Sequence, residues 1–285
     1  MMRTLFVSDL DGTLLGPDRK VSAESSRLIN EAVDDGAMFS VATARTPATV
    51  GPLLADVKSP LPFIVMTGAA IWNREDNRYV HAAFHSEATA QRLAELYRRH
   101  GLSAFVYILG EDNVIHIYHI GDMSDLEHEF MEERLHTPYK DFHILDKEEG
   151  ELPKRLDRVL LFYSMRPTGE VARVYDEIRD SDDLRAVFYH DMYGDDIALM
   201  EVFGPEASKA NAVRRLADMV GADRIVAYGD NVNDIPILEV ADDAVVVENA
   251  VEAARLAAGR VIGPNSEDSV AKDIKKQTKM LKNLE

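Results

Sequence analysis

The chain has 285 residues, 46% of them hydrophobic, and no cysteine, so it can bury a core in one large or two moderate domains and uses neither disulfides nor thiol catalysis. Its formal charge of -18 argues against nonspecific binding to nucleic acid or to an anionic membrane, since both rely on excess Lys and Arg. Without a signal-peptide pattern or an apolar run of roughly 18 residues, we expect a cytoplasmic protein.

The N-terminal segment predicts a short buried strand that ends in two acids. Residues 5–7 are Leu-Phe-Val, Asp9 and Asp11 follow, and Gly12 breaks the pattern. If extended geometry continues between the two acids, both carboxylates point the same way. Holding like charges together is costly without a cation or a shared proton. The pair therefore predicts Mg²⁺ binding or a division of nucleophile and acid/base roles, although Asp and Gly also fill ordinary turns.

Strand and helix patterns alternate through the first 66 residues. After the first strand, they predict a Ser-capped helix, a strand, a helix and a strand at residues 22–36, 38–42, 47–57 and 62–66. Such alternation predicts a parallel sheet with right-handed crossovers, which binds ligands at the carboxyl ends of its strands. The residues at those ends are Asp9, Asp11, Thr43, Thr67 and Gly68.

The pattern changes from about residue 85 to residue 203. Helices are predicted at residues 86–100, 124–135 and 169–179, and strands or short extended segments at 103–109, 114–119, 142–145, 158–164, 184–190 and 197–203. Hairpins with intervening helices indicate an α+β module. Histidines cluster mainly here, but no His-x-x-x-His pair lies on a convincing helix, so surface or cap positions are favoured over a zinc site.

The alternating pattern then resumes, with Ser208 capping a helix that carries Lys209. A strand at 224–228 leads into the loop Gly-Asp-Asn-Val-Asn-Asp at 229–234, and helices or strands follow at 235–240, 244–247, 251–256 and 269–284. We therefore expect an α/β protein: a parallel-sheet core formed by residues 1–83 and 204–285, with residues 84–203 as an inserted α+β domain.

Polar residues from distant parts of the chain share one edge of this inferred sheet. They are Asp9, Asp11, Thr43, Lys209, Asp230, Asn233 and Asp234. Together they supply what phosphoryl transfer needs: a carboxylate nucleophile, a second carboxyl that protonates the leaving alkoxide, a hydroxyl and an ammonium that neutralise oxygens, and further carboxylates for Mg²⁺.

In order and spacing, these residues resemble the haloacid dehalogenase superfamily of phosphatases. Its four motifs match Asp-Leu-Asp-Gly-Thr-Leu-Leu at residues 9–15, Thr43, Lys209 and the loop at 229–234. An insert between the second and third motifs resembles the Cof-type branch, subclass IIB. The resemblance covers essentially the whole chain and implies a Rossmann-like core with a cap that sets substrate specificity.

The resemblance also implies the roles of the acids. Asp9 would be the nucleophile that forms an aspartyl-phosphate, and Asp11 would be the general acid and then the base for the hydrolytic water. Mg²⁺ would be bound by the Asp9 carboxylate, the Asp11 backbone carbonyl and Asp230.

The remaining motif residues are implied to hold the phosphoryl group and its surroundings. Thr43 and Lys209 would bind the phosphoryl oxygens, Asn233 would help to position them, and Asp234 would orient Lys209 and the metal's ligands. Taken singly, each could be an ordinary strand-end, helix or turn residue.

Two further residues are candidate substrate contacts, and both lie where the chain departs from the family pattern. Arg45 belongs to Thr-Ala-Arg where relatives often have Thr-Gly-Arg, and Gly68 follows Thr67 where relatives often have Asn-Gly. The second difference puts any contact that depends on the Asn in doubt.

We therefore expect a Mg²⁺-dependent phosphomonoester hydrolase that acts on a small phosphorylated metabolite, with sugar phosphates favoured. A large cap would exclude bulk water and suits small substrates. One alternative is a sugar phosphomutase, which differs only in the fate of the phosphate. Another alternative is a phospho-aspartate receiver. Asp11 opposes this reading, because a proton-shuttling acid there would shorten the life of the phospho-aspartate. The oligomeric state and the leaving group stay open.

Overall fold

The computed structural model describes residues 3–144, 152–190 and 196–283. The chain divides into two compact units, Met1–His81 with Ser208–Glu285, and Ala82–Ala207. The sequence prediction drew the two boundaries after residues 83 and 203. Two predicted element ends, residues 145 and 284, lie outside the described residues.

The described strands are β1 (Thr4–Ser8), β2 (Met38–Val41), β3 (Phe63–Val65), β4 (Ala70–Asn73), β5 (Arg78–Ala82), β6 (Ala104–Leu109), β7 (Ile115–Ile120), β8 (Lys140–Ile144), β9 (Val159–Pro167), β10 (Arg185–Tyr189), β11 (Ile197–Phe203), β12 (Arg224–Gly229), β13 (Asp243–Val246) and β14 (Arg260–Val261). The described α-helices are α1 (Ala23–Asp34), α2 (Pro47–Leu53), α3 (Glu87–His100), α4 (Asp125–Glu132), α5 (Thr168–Ile178), α6 (Lys209–Val220), α7 (Ile235–Val240), α8 (Glu252–Ala257) and α9 (Ser269–Lys282).

The first unit is built on a five-stranded parallel sheet with the order β14-β13-β12-β1-β2. A single parallel bridge between Ala42 and Ile64 links the end of β2 to β3. Because the chain leaves β1 towards β2 and later returns as β12 on the other side, the connections diverge between β1 and β12. Such switch points open a crevice at the carboxyl ends of the strands.

Local sequence accounts for the elements on which the crevice depends. All five residues of β1 are buried, as expected for a central parallel strand. The Ser22 side chain caps α1, and the Ser208 hydroxyl accepts a hydrogen bond from the backbone N–H of Asn211 at 3.0 Å, which fixes the first residue of α6 as Lys209. Gly221 ends α6 in the left-handed conformation.

The second unit contains a six-stranded sheet with the order β10-β11-β9-β6-β7-β8. Its strand pairs are antiparallel except for β7 and β8, which run parallel at one end of the sheet. Buried apolar residues of α3 and α5 form a core with the strands, including Leu93, Val106, Phe162, Val171 and Val174. This unit therefore has its own hydrophobic core.

The α/β fold class expected from the sequence is confirmed, and the differences are local. The helix predicted at residues 47–57 ends at Leu53, because the Gly51-Pro52 pair weakens its interior. The sequence prediction missed the strands β4 and β5 and the two-residue β14. The two-residue β14 carries too few residues to show a period.

Among the described residues, no helix combines the length and the apolar character that a membrane span requires.

Leu93 tests the core of the second unit, because this α3 side chain is completely buried. Leu93→Ala should lower the free energy of unfolding by roughly 2–5 kcal/mol through lost burial and a residual cavity. Leu135→Ala is the matched control, since that side chain is 42% exposed and should change stability by less than about 0.5 kcal/mol. Urea denaturation followed by circular dichroism measures both, and equal effects would contradict the described packing.

Candidate active site

The site begins where β1 and β12 end side by side. These strands pair in parallel, with Ser8 opposite Tyr228, so the residues that follow them emerge together. The backbone N–H of Asp9 donates to the carbonyl oxygen of Tyr228 at 2.9 Å, which carries the pairing one residue beyond β1. Asp9 and Asp230 thus lie at the switch point of the sheet.

Lys209 joins the two ends of the site through buried ion pairs. Its Nζ donates to Asp9 Oδ1 at 2.6 Å and to Asp234 Oδ1 at 2.7 Å. The side chains of Lys209, Asp9 and Asp234 are only 1%, 8% and 0% exposed. At this depth the pairs are shielded from solvent and salt, so they fix the relative positions of β1, α6 and the loop after β12.

Asp234 has no oxygen left without a partner. Its Oδ1 accepts from Lys209, and its Oδ2 accepts the backbone N–H groups of Asp230 and Asn231 at 3.1 and 3.2 Å. A carboxylate with both oxygens engaged in this way orients its neighbours more readily than it binds a metal directly.

Asp230 is held by the first motif. The Thr13 hydroxyl donates to Asp230 Oδ1 at 2.7 Å. Gly12 has φ +81°, and a Cβ at that position would lie 2.4 Å from Asp230 Oδ2. The glycine is therefore required both by its backbone conformation and by the close approach of the Asp230 carboxylate.

Asp11 occupies a different environment from Asp9. The strand ends at Ser8, and a turn over Leu10–Leu14 replaces the extended geometry assumed from the sequence. The Asp11 carboxylate is 51% exposed and pairs in bidentate fashion with Arg45, at 2.7 Å from Nε and 2.6 Å from Nη2. The two acids of the motif are thus one buried carboxylate on a lysine and one accessible carboxylate on an arginine.

Thr43 lies beside this pair, and Gly68 lies on α6. The buried Thr43 hydroxyl accepts the backbone N–H of Arg45 at 3.2 Å. Gly68 has φ +89°, and a Cβ there would lie 2.2 Å from the carbonyl oxygen of Ser208 and 2.6 Å from the backbone nitrogen of Lys209. Gly68 therefore has a packing role, because it lets the chain approach the first turn of the helix that carries Lys209.

Asn233 is the motif residue that the structure does not tie to the others. It is half-buried on the short 3₁₀ turn Val232–Asp234. Its side chain makes no hydrogen bond or ion pair within residues 3–144, 152–190 and 196–283.

The site holds more negative than positive charge. Carboxylate oxygens of Asp9, Asp230 and Asp234 lie within 4.8 Å of one another, and Lys209 offsets only part of their charge. Burial raises the pKa of Asp9, although Lys209 opposes the rise, and burial likewise raises the pKa of Asp230. Burial alone would lower the pKa of Lys209, but Asp9 and Asp234 raise it above its ordinary value.

This imbalance tests whether the residues fit a metal. Asp9 Oδ2 and Asp230 Oδ2 make no hydrogen bond to any described residue, so each keeps an oxygen for a cation. Carboxylate oxygens are the ligands that Mg²⁺ prefers, and a divalent cation would neutralise the excess charge. The donor set therefore fits Mg²⁺.

Sequence reasoning missed two polar residues that brace the loop after β1. The Asn249 side chain donates to the carbonyl oxygen of Gly12 at 2.7 Å, and the Asn265 side chain donates to that of Leu15 at 2.7 Å. Both asparagines lie in loops of the same unit, and nothing in their local pattern distinguishes them. A third residue, Thr13, was visible as part of the first motif but received no role.

A buried lysine between strand-end carboxylates at a parallel-sheet switch point defines an α/β enzyme site suited to group transfer on an anionic substrate. The chain belongs to the haloacid dehalogenase-like hydrolase family, whose model matches residues 6–274. It is thus a hydrolase, and the recognition of this superfamily from the sequence motifs is confirmed.

Known relatives resemble the chain over nearly its whole length. It is 25% identical over 280 residues to a 5-amino-6-(5-phospho-D-ribitylamino)uracil phosphatase of Bacillus subtilis, covering 95% of this chain and 96% of the relative. It is 22% identical to a pyridoxal phosphate phosphatase of Escherichia coli, covering 96% and 98%. Its fold matches that of a subclass IIB sugar phosphatase of the superfamily with a TM-score of 0.69, at 18% identity, covering 96% and 98%.

Gly68→Ala tests the packing against α6. The new Cβ would meet the backbone of Ser208 and would also be strained at positive φ, so the free energy of unfolding should fall by about 2 kcal/mol or more. Gly169→Ala is the control. A Cβ built at Gly169 would meet no described atom within 4 Å, and the φ angle there is not in the left-handed region. Thermal or urea unfolding measures both, and a harmless Gly68→Ala would refute the close approach.

Proposed function

We propose that this enzyme is a Mg²⁺-dependent phosphomonoester hydrolase that works through an aspartyl-phosphate on Asp9. The observation that carries the proposal is the buried Lys209, which holds Asp9 by one oxygen at 2.6 Å and leaves the other without a hydrogen bond to the described residues. The open oxygen carries two lone pairs, so the Asp9 carboxylate can bind a cation and still present a lone pair to phosphorus in a defined direction, as a nucleophile requires.

In the first step, Asp9 Oδ2 attacks the phosphorus of the substrate. A bond forms between this oxygen and phosphorus while the bond from phosphorus to the ester oxygen breaks. The leaving alkoxide takes a proton from Asp11, so a neutral alcohol departs. In the second step, Asp11 removes a proton from water, the water oxygen attacks phosphorus, and the bond to Asp9 breaks to release phosphate.

The phosphoryl oxygens gain charge during both steps, and donors from three elements would stabilise them. We assign this role to the Lys209 ammonium and the Thr43 hydroxyl, with Asn233 helping to position the group. The Asp9 carboxylate, the Asp11 backbone carbonyl and Asp230 would hold Mg²⁺, which when bound supplies Lewis-acid neutralisation of phosphoryl charge. Asp234 keeps Lys209 and the loop that carries Asp230 in place.

The pairing of Asp11 with Arg45 bears on the proton transfers. A bidentate guanidinium suits an ionised carboxylate, since both oxygens then accept. In that state Asp11 is ready to act as a base, whereas its work as an acid requires a proton on one of the oxygens that Arg45 now occupies. We infer that Arg45 releases Asp11 before the first step, since an anionic substrate offers the guanidinium another partner.

The substrate is proposed to be a small phosphorylated metabolite, with sugar phosphates favoured. Two relatives are named for the phosphate esters of a ribitylaminouracil and of pyridoxal, and the structural neighbour is named a sugar phosphatase. In each name the phosphate belongs to a small molecule, which suits the enclosing role proposed for the second unit as a cap that sets specificity.

A screen of phosphomonoesters tests the proposed chemistry. The enzyme with Mg²⁺ should release phosphate, and the panel should be ranked by kcat/KM. Asp9→Asn should lower kcat by at least about 10⁴-fold, because the amide cannot act as the nucleophile. Asp18→Asn is the control, since that acid is exposed and outside the site, and it should leave kcat unchanged.

The same experiment separates the alternatives when the substrate carries isotopically labelled phosphate. Label that appears as free phosphate supports the hydrolase, whereas label that returns to another hydroxyl of the substrate indicates a mutase. A phospho-enzyme that survives for many minutes would indicate a receiver. Undiminished turnover by Asp9→Asn would refute Asp9 as the nucleophile.

Thr13 tests the proposed magnesium site, because its hydroxyl orients Asp230 without contacting the proposed reacting atoms. Thr13→Val should raise the Mg²⁺ concentration needed for half-maximal activity by roughly 10–100-fold. Thr13→Ser keeps the hydroxyl and should restore most of the affinity. Magnesium titrations of the activity measure both variants, and an unchanged requirement in Thr13→Val would show that Thr13 does not act through the metal.

A further inference from the structure

Three side chains at the edge of the second unit's sheet converge on a single point. His116 Nδ1 lies 2.9 Å from His143 Nε2, and the Asp141 Oδ2 atom lies 3.6 Å from His143 Nε2 and 4.0 Å from His116 Nδ1. In the plane of these three atoms, the point equidistant from them lies about 2.1 Å from each, which is the length of a zinc bond to nitrogen or to a carboxylate oxygen. The chemistry and the spacing of the donors both match a metal site.

Strand register produces this convergence. In the parallel pair, β7 places His116 opposite Asp141 and Tyr118 opposite His143. Residues two apart on a strand share a face, so Asp141 and His143 of β8 project to the same side as His116. Tyr118 stacks on the His143 ring, with ring centroids 4.6 Å apart and an angle of 14° between the planes, and this contact restricts the ring orientation.

A second carboxylate selects the nitrogen of His116 that faces the site. Asp112 Oδ1 lies 3.4 Å from His116 Nε2, so a proton on Nε2 points to Asp112 and the lone pair of Nδ1 points to the cluster. A carboxylate behind a histidine is the usual arrangement at zinc ligands. Asp112 is itself fixed, because it accepts the backbone N–H of Val114 at 3.0 Å.

Gly110 makes room for this arrangement. A Cβ at that position would lie 2.2 Å from Asp112 Oδ1 and 2.7 Å from His116 Nε2. The Asp112 and His116 side chains therefore occupy the space that a side chain at residue 110 would fill, and a glycine is needed there to let them meet.

We propose that His116, Asp141 and His143 bind a divalent transition-metal ion, with Zn²⁺ as the best match. Two imidazoles and one carboxylate suit Zn²⁺ better than Mg²⁺ or Ca²⁺, which take oxygen ligands. The three side chains are 24%, 61% and 36% exposed, so the ion can enter from solvent and water can supply a further ligand. The ion would cross-link β8, which pairs only with β7 among the described strands, to the rest of the sheet.

Zinc binding to tag-free protein in excess Mg²⁺ tests this proposal. Equilibrium dialysis should find a Zn²⁺ site that His143→Ala or His116→Ala weakens by more than about 100-fold and that Asp112→Asn weakens by roughly 10–100-fold. His128→Ala is the matched control, since that histidine is exposed on α4 outside the cluster. Asp230→Asn, which alters the proposed magnesium site, should leave this Zn²⁺ site intact.

Thermal unfolding supplies an independent reading. Zn²⁺ should raise the Tm of the wild-type protein and of His128→Ala, because the ion binds the folded state, and should leave the Tm of His143→Ala unchanged. The Tm without metal shows that each variant is folded. Zn²⁺ affinity that survives in both His116→Ala and His143→Ala, or that disappears in Asp230→Asn, would overturn the proposal, and so would the absence of tight binding to the wild type.

Discussion

The structure of the site depends on one buried ammonium group. Lys209 Nζ lies between Asp9 and Asp234. These two acids are more than 200 residues apart in the sequence. Removing the Lys209 ammonium would leave two buried carboxylates without a cation, which costs far more than a surface pair is worth. The need to satisfy this ammonium fixes where β1, α6 and the loop after β12 meet. It also leaves one oxygen of Asp9 unengaged, on which the proposed chemistry relies.

The surrounding backbone brings the charged residues of the site to one place. Parallel pairing of β1 with β12 delivers Asp9 and Asp230 to the same crevice, and Ser208 sets the start of α6 so that Lys209 is its first residue. Gly12 and Gly68 then permit contacts that any side chain would block, the first with Asp230 and the second with the start of α6. Gly12 therefore admits the Asp230 carboxylate, and Gly68 admits the backbone at the start of the helix that carries Lys209.

The second unit has its own hydrophobic core and its own partners for a buried acid. Its α3 and α5 core is apolar, and the buried Glu127 carboxylate accepts hydrogen bonds from Ser103, Ser124 and Arg166. Separate cores allow the two units to change independently, so that the chemistry of the first and the selectivity proposed for the second need not constrain each other. The cluster of His116, Asp141 and His143 belongs entirely to this second unit.

The sequence by itself determined the alternation of strands and helices, the family and the identity of the charged residues at strand ends. Periodicity and helix caps are local signals, and the motifs can be read in order along the chain. Only the tertiary structure decided that Asp11 pairs with Arg45 while Asp9 pairs with Lys209, that Gly68 packs on α6, and that Asn249 braces the loop after β1. His116 and His143 show the limit most clearly. They are 27 residues apart, and their meeting depends on the register of two strands, which no local pattern specifies.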